Sequence, residues 1–103
     1  KILKYKKNLS NYYQSKFEHN KNIEIVKESI YCKSNYWLNA IVLKDRWARD
    51  EFLNVSNDRG VMTRPVWTLM SELNMFKDAQ SANLENSEWL ADRVVNIPSS
   101  IIL

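Results

Sequence analysis

Apolar positions recur along this chain with two different periods. Over residues 2–17, Ile2, Tyr5, Leu9, Tyr12, Tyr13 and Phe17 return every three or four positions, which predicts a helix with one apolar, aromatic face. Lysines with Asn8, Ser10, Asn11 and Gln14 occupy its other side. His19-Asn20-Lys21-Asn22 breaks the period and reads as a loop, after which Ile23-Glu24-Ile25-Val26 alternates as a short strand. Residues 36–43 are apolar on both parities and predict a strand covered on both faces. Asp45 stands where an N-cap belongs, and Trp47, Ala48, Phe52 and Val55 follow at helical spacing. Gly60 suits a left-handed residue just past that helix, because glycine enters this region without steric cost. Val61-Met62-Thr63 reads as a third strand, and Arg64, preceding Pro65, is biased to extended backbone. Residues 68–73 predict a short helix and 74–83 a loop. Asn83 or Asn86 then caps a last helix that buries Leu84, Leu90 and Val94 and stops before Ile97-Pro98. The expected class is α+β: a small mixed sheet of about three strands with helices packed on one face, preceded by the first helix.

Composition narrows the chemistry. With 103 residues, 45% hydrophobic and 26% charged, the chain fits one ordered domain. No apolar run reaches the roughly 20 residues of a membrane span, and no signal-peptide pattern opens the chain, so a cytoplasmic setting is expected. One cysteine excludes an intrachain disulfide, and one cysteine with one histidine excludes zinc and iron–sulfur sites. A single glycine excludes the glycine-rich phosphate loops. Residues 1–22 hold six lysines and one acid, the remaining 81 nine bases and eleven acids. A basic helix on a mildly acidic body fits a non-enzymatic module docking on RNA or a protein, but also plain lysine and asparagine abundance. No aromatic pair at RNA-binding spacing marks either predicted strand, so no nucleic-acid partner is expected. The sequons at Asn8 and Asn54 read as chance products of that asparagine abundance.

No catalytic pair stands out. Cys32 and His19 fall on different predicted loops, and Asp50 and Glu51 are helix neighbours that point apart. Glu85, Glu88 and Asp92 read as a solvated helix face. Arg64 differs: extended beside a proline and flanked by Thr63 and Trp67, it either grips a phosphate or carboxylate through two parallel bonds or closes a surface salt bridge. Four tryptophans (37, 47, 67, 89) either fill the core or mark a partner interface. The unpartnered stripe of the first helix and the missing initiator methionine point to a piece of a longer protein.

Several segments resemble one family. Gly60-Val61-Met62-Thr63-Arg64-Pro65 with Trp67 resembles the Gly-Ile-x-Thr-Arg-Pro stretch of DegT/DnrJ/StrS-type sugar aminotransferases, and Leu73-Asn74-Met75-Phe76 their Leu-Pro-Met-Tyr segment. Residues 88–100 are similar to the family's closing helix and Leu-Pro-Ser turn. With Ser34-Asn35-Tyr36-Trp37-Leu38-Asn39, the chain most resembles the branch making 4-amino sugars for legionaminic acid and related acids, with perosamine synthases next. Many relatives carry a histidine where this chain has Leu38, so any role of that histidine does not transfer.

The resemblance implies the C-terminal small domain of a fold-type I, pyridoxal-phosphate-dependent enzyme. Residues 1–22 would be a connector helix and loop, and 23–103 the small domain. No lysine here stands in the Schiff-base motif; that lysine and most cofactor contacts would belong to a large N-terminal domain of the same protein, and the full-length protein would be a homodimer. The parent would move an amino group from glutamate to a 4-keto nucleotide sugar, and this fragment alone would be inactive. Arg64 would then meet an anionic substrate or a cross-domain carboxylate, Trp67 would form a wall or stacking surface, and Asn39 is a third candidate for a substrate contact.

Overall fold

A computed structural model describes residues 1–101; the last two residues of the predicted 23–103 domain lie outside the described residues. Helix α1 (Ile2–Phe17) leads into strand β1 (Ile23–Ile25), then β2 (Asn39–Leu43), helix α2 (Arg46–Asp58), β3 (Arg64–Pro65), helix α3 (Glu85–Ala91) and β4 (Val94–Ile97). Two 3-10 turns, Met70–Glu72 and Asn74–Phe76, fill the stretch between β3 and α3.

The strands form one sheet in the order β1-β2-β4-β3, every neighbouring pair antiparallel. Register puts Ile23 opposite Leu43, Ile25 opposite Ile41 and Ile41 opposite Val95, so one pleat gathers the branched side chains on one face. Ile25, Ile41, Leu43, Val95 and Ile97 are its buried centre, capped by Tyr13 and Phe17 of α1 and by Ala48, Phe52 and Leu53 of α2. Helices on one face of a small sheet is the expected α+β arrangement. Four antiparallel strands replace the expected mixed sheet of about three.

The differences have local causes. Val94-Val95-Asn96-Ile97 is strand β4 rather than the end of the last helix, which stops at Ala91. Its run of β-branched residues suits the sheet, and its partner β2 lies some fifty residues earlier, beyond the reach of local periodicity. The third strand is Arg64–Pro65 instead of residues 61–63, and the helix expected at 68–73 shrinks to one 3-10 turn. β2 is fully buried only at Asn39, Ile41 and Leu43; Ala40 and Val42 on its other face are half covered. Trp47 and Val55, expected on the inner side of α2, are 83% and 44% exposed. None of the four tryptophans is buried, which removes the core-filling alternative.

Both ends of α2 follow the sequence closely. The Asp45 carboxylate accepts the Ala48 backbone N–H at 2.9 Å, an N-cap. At the other end Gly60 N–H donates to Asn57 O at 2.9 Å and Val61 N–H to Ser56 O at 2.8 Å, the paired bonds of a Schellman turn. Gly60 has φ +77°, and a Cβ built on it meets no atom within 4 Å. Gly60→Ala therefore pays only the left-handed backbone penalty, about 1–2 kcal/mol. Denaturant unfolding checks this, and an unchanged midpoint would show that the turn does not constrain the chain.

Candidate functional site

The site grows from the C-terminal turn of α2. Thr63, almost completely buried at 1% exposure, follows the Gly60 turn and is tied back onto the helix. Its hydroxyl lies 2.6 Å from Ser56 Oγ and accepts from Asn57 Nδ2 at 3.0 Å, while Thr63 O takes a second bond from that amide at 3.2 Å. Ser56 and Asn57 also bond back into the helix at Phe52 O and Leu53 O. This network fixes the start of β3, and the next residue is Arg64.

Arg64 pairs with Asn96 across β3–β4, and its guanidinium reaches back to the C-terminal end of α2. Its Nη1 donates to Asn57 Oδ1 at 3.5 Å and to Thr63 O at 3.3 Å, both long bonds to neutral acceptors. Among the described residues the ion pairs are Arg46–Asp50 and Arg49–Asp50, so no carboxylate neutralises Arg64. Pro65 lacks an N–H and suits this edge strand.

Trp67, two residues beyond β3, is 75% exposed. Its indole meets that of Trp37, on the loop before β2, at 6.4 Å between centroids and 32° between planes. That separation lies in the range of attractive aromatic pairs. Asn39 is placed differently. It is buried, and its backbone N–H and side-chain Nδ2 donate to Ser99 Oγ at 2.7 and 3.2 Å, so its amide holds the C-terminal segment against β2. The structure joins Trp67 to Trp37 at the surface, and Asn39 to Ser99 in a buried place.

Periodicity and spacing gave no sign of Ser56, Asn57 or Trp37 as site components; their partners lie across a turn or across the sheet. Cys32 is exposed, and no hydrogen bond links it to His19 among the described residues. An open groove of about 900 Å³ runs beside β1, lined by Phe17, Lys21, Lys27, Lys44 and Trp89 among others; Arg64, Trp67 and Asn39 lie outside it. Burial lifts the Tyr13 phenol above its ordinary value of 10.0, with Tyr12 adding to the rise. As a neutral donor it holds Pro98 O at 2.8 Å.

The sequence profile of the DegT/DnrJ/EryC1/StrS aminotransferase family matches residues 1–103. The chain belongs to this family. A search of curated proteins finds no match. Among solved structures, the aminotransferase TlmJ from Streptoalloteichus hindustanus is similar over 94% of this chain and 26% of its own, at 14% identity and a TM-score of 0.83. DesI, solved with its TDP-sugar product, matches over 93% and 26% at 18% identity and a TM-score of 0.82. The E. coli GDP-4-keto-6-deoxy-D-mannose-3-dehydratase matches over 95% and 26% at 16% identity and a TM-score of 0.78. At these identities the likeness establishes the fold. The chain spans about a quarter of the length of these structures.

The dehydratase structure holds hydrated pyridoxal phosphate. The described residues of this family member do not build a place for it. Every lysine except Lys6 and Lys7 is exposed, and Lys6 is engaged with the carbonyls of Trp37 and Ser99. Gly60, the one glycine, ends α2 instead of lining a phosphate loop. Among the described residues the arrangement supplies a guanidinium on a fixed backbone with no carboxylate partner, and a separate exposed indole pair. Such surfaces position an anionic or planar group; they perform no proton transfer.

Proposed function

We propose that this chain is the C-terminal small domain of a pyridoxal-phosphate-dependent enzyme that transfers an amino group from glutamate to a 4-keto nucleotide sugar. The carrying observation is Arg64: a guanidinium with no carboxylate partner among the described residues, on a strand clamped by Thr63 and Asn57. Such a cation suits the diphosphate of a nucleotide sugar, or a carboxylate of a neighbouring domain, through paired hydrogen bonds. Trp67 supplies a wall for the base or sugar. Asn39 acts at one remove, by seating Ser99 and the end of β4.

The cofactor and its Schiff-base lysine belong to a large N-terminal domain in this reading, and two copies form a cytoplasmic homodimer. Residues 1–22 connect the domains. Support comes from α1, whose Ile2, Leu3, Tyr5 and Tyr12 stay exposed although its other side rests on the sheet. Family membership and the TDP-sugar in DesI favour this reading over a non-enzymatic module with a basic helix.

The full-length protein, supplied with pyridoxal phosphate, glutamate and a panel of 4-keto nucleotide sugars, is expected to yield an amino sugar, read by mass spectrometry. Residues 1–103 alone are expected to yield none, and borohydride is expected to fix no stoichiometric pyridoxyl group on any one lysine. A 3-deoxy keto sugar from the full-length protein would replace amino transfer with dehydration. Binding of RNA with a steep salt dependence and no sugar turnover would favour the module.

A further inference from the structure

Lys6 links α1 to the aromatic pair. Its ammonium donates to Trp37 O at 3.3 Å and to Ser99 O at 2.5 Å, drawing together the first helix, the loop before β2 and the segment after β4. Trp37 has little else to hold it. Its backbone N–H donates to Asn35 Oδ1 at 3.0 Å, and the residue is 63% exposed. The residue before it, Tyr36, sits at φ +48°, a left-handed conformation that a tyrosine adopts only where its surroundings enforce it. Burial therefore does not set the position of this indole; the backbone anchors do. A lysine suits that task, since its three ammonium protons serve two carbonyls at once.

We propose that Lys6 is a positioning residue: by holding the Trp37 carbonyl it sets where the Trp37 ring meets that of Trp67, and so couples α1 to the substrate-facing loop. The consequence for substrate rests on the function proposed above, whereas the anchoring of the indole pair stands without it. Tyr13 offers an internal comparison. It also ties α1 to the C-terminal segment, through Pro98 O at 2.8 Å, but bonds to no part of the Trp37 loop.

Two coupled indoles give a paired band of opposite signs in far-ultraviolet circular dichroism; Trp37 and Trp67 are the one indole pair among the described residues. In the 103-residue chain, Trp67→Phe defines the spectrum without it. Lys6→Met is expected to lose most of the paired band, Lys6→Arg to recover part of it, and Tyr13→Phe to keep it. A band intact in Lys6→Met, or lost equally in Tyr13→Phe, overturns the anchoring. Should Lys6→Met fail to fold, Lys6→Gln is read the same way. In the full-length enzyme, Lys6→Met is expected to raise KM for the nucleotide sugar about tenfold with the glutamate half-reaction unchanged. A lost band with an unchanged KM overturns the coupling to substrate. A wild-type enzyme inactive on every sugar overturns the proposed function instead, and the paired band still decides the role of Lys6.

Discussion

Arg64→Ala in the full-length enzyme is expected to cut turnover of the nucleotide sugar by about ten- to a hundredfold, the equivalent of one charge-assisted hydrogen bond of 1.5–3 kcal/mol. Folding of the small domain should change little. Arg64 is exposed, its two acceptors are neutral, and both contacts are long at 3.3 and 3.5 Å. Weak surface contacts of this kind contribute little to stability. The loss falls on the substrate because the side chain leaves a backbone held from both sides, by the buried Thr63 before it and by Pro65 after it. Holding the stem in advance limits the entropy lost when the guanidinium grips an anion. Arg64→Lys keeps the charge without the planar fork and should recover only part of the rate. Trp67→Ala should raise the apparent KM for the sugar and spare the glutamate half-reaction. Measuring the half-reactions separately, alongside thermal unfolding, decides the matter. Equal losses in both, with a clear fall in Tm, would make Arg64 a structural residue.

Much of the fold was legible because it is decided within a few residues. Asp45 caps α2 by reaching three positions along the chain, and Gly60 ends it through a backbone angle that other residues resist. The last helix departs from this: Leu84, not Asn83 or Asn86, is its N-cap and no side chain caps it, while Asn83 only accepts the Glu85 N–H at 2.8 Å in a local turn. Partnership across the chain was not legible. Val94 falls at helical spacing from Leu84 and Leu90, and only pairing with Val42 reveals it as a strand residue. The stripe of α1 carries the same lesson. Tyr13 and Phe17 cover the sheet, Ser10 beside them is buried, but Ile2, Tyr5 and Tyr12 face away. An apolar face states that something covers it, not what. The candidate site divides along the same line. Arg64 and Trp67 were marked by a proline constraint and a sequence motif, whereas the indole partner Trp37 comes from a loop thirty residues away.

Thr63→Val is expected to damage both stability and turnover, in contrast to Arg64→Ala. The two side chains have nearly the same shape, so the substitution removes a hydroxyl without opening space. Ser56 Oγ lies 2.6 Å from Phe52 O, an acceptor only, so Ser56 donates there and the Thr63 hydroxyl donates to Ser56. Asn57 Nδ2 in turn donates to Thr63 Oγ1. Valine leaves the Ser56 oxygen without its donor and weakens the hold on the Asn57 amide in a buried place. One such unsatisfied group costs about 1–3 kcal/mol, and for a domain this size each kcal/mol lowers Tm by roughly 4–8 °C. Asn57 also offers its Oδ1 to Arg64, so a freed amide loosens the guanidinium and lowers sugar turnover with it. Thr63→Ser separates the two effects. It keeps the hydroxyl, loses only a methyl group worth about 1 kcal/mol, and should retain most of the turnover. Thermal unfolding of the 103-residue chain with sugar kinetics on the full-length enzyme reads both outcomes. If valine destabilises the domain but leaves turnover intact, the Ser56–Thr63–Asn57 network holds the turn alone and Arg64 is oriented by the strand.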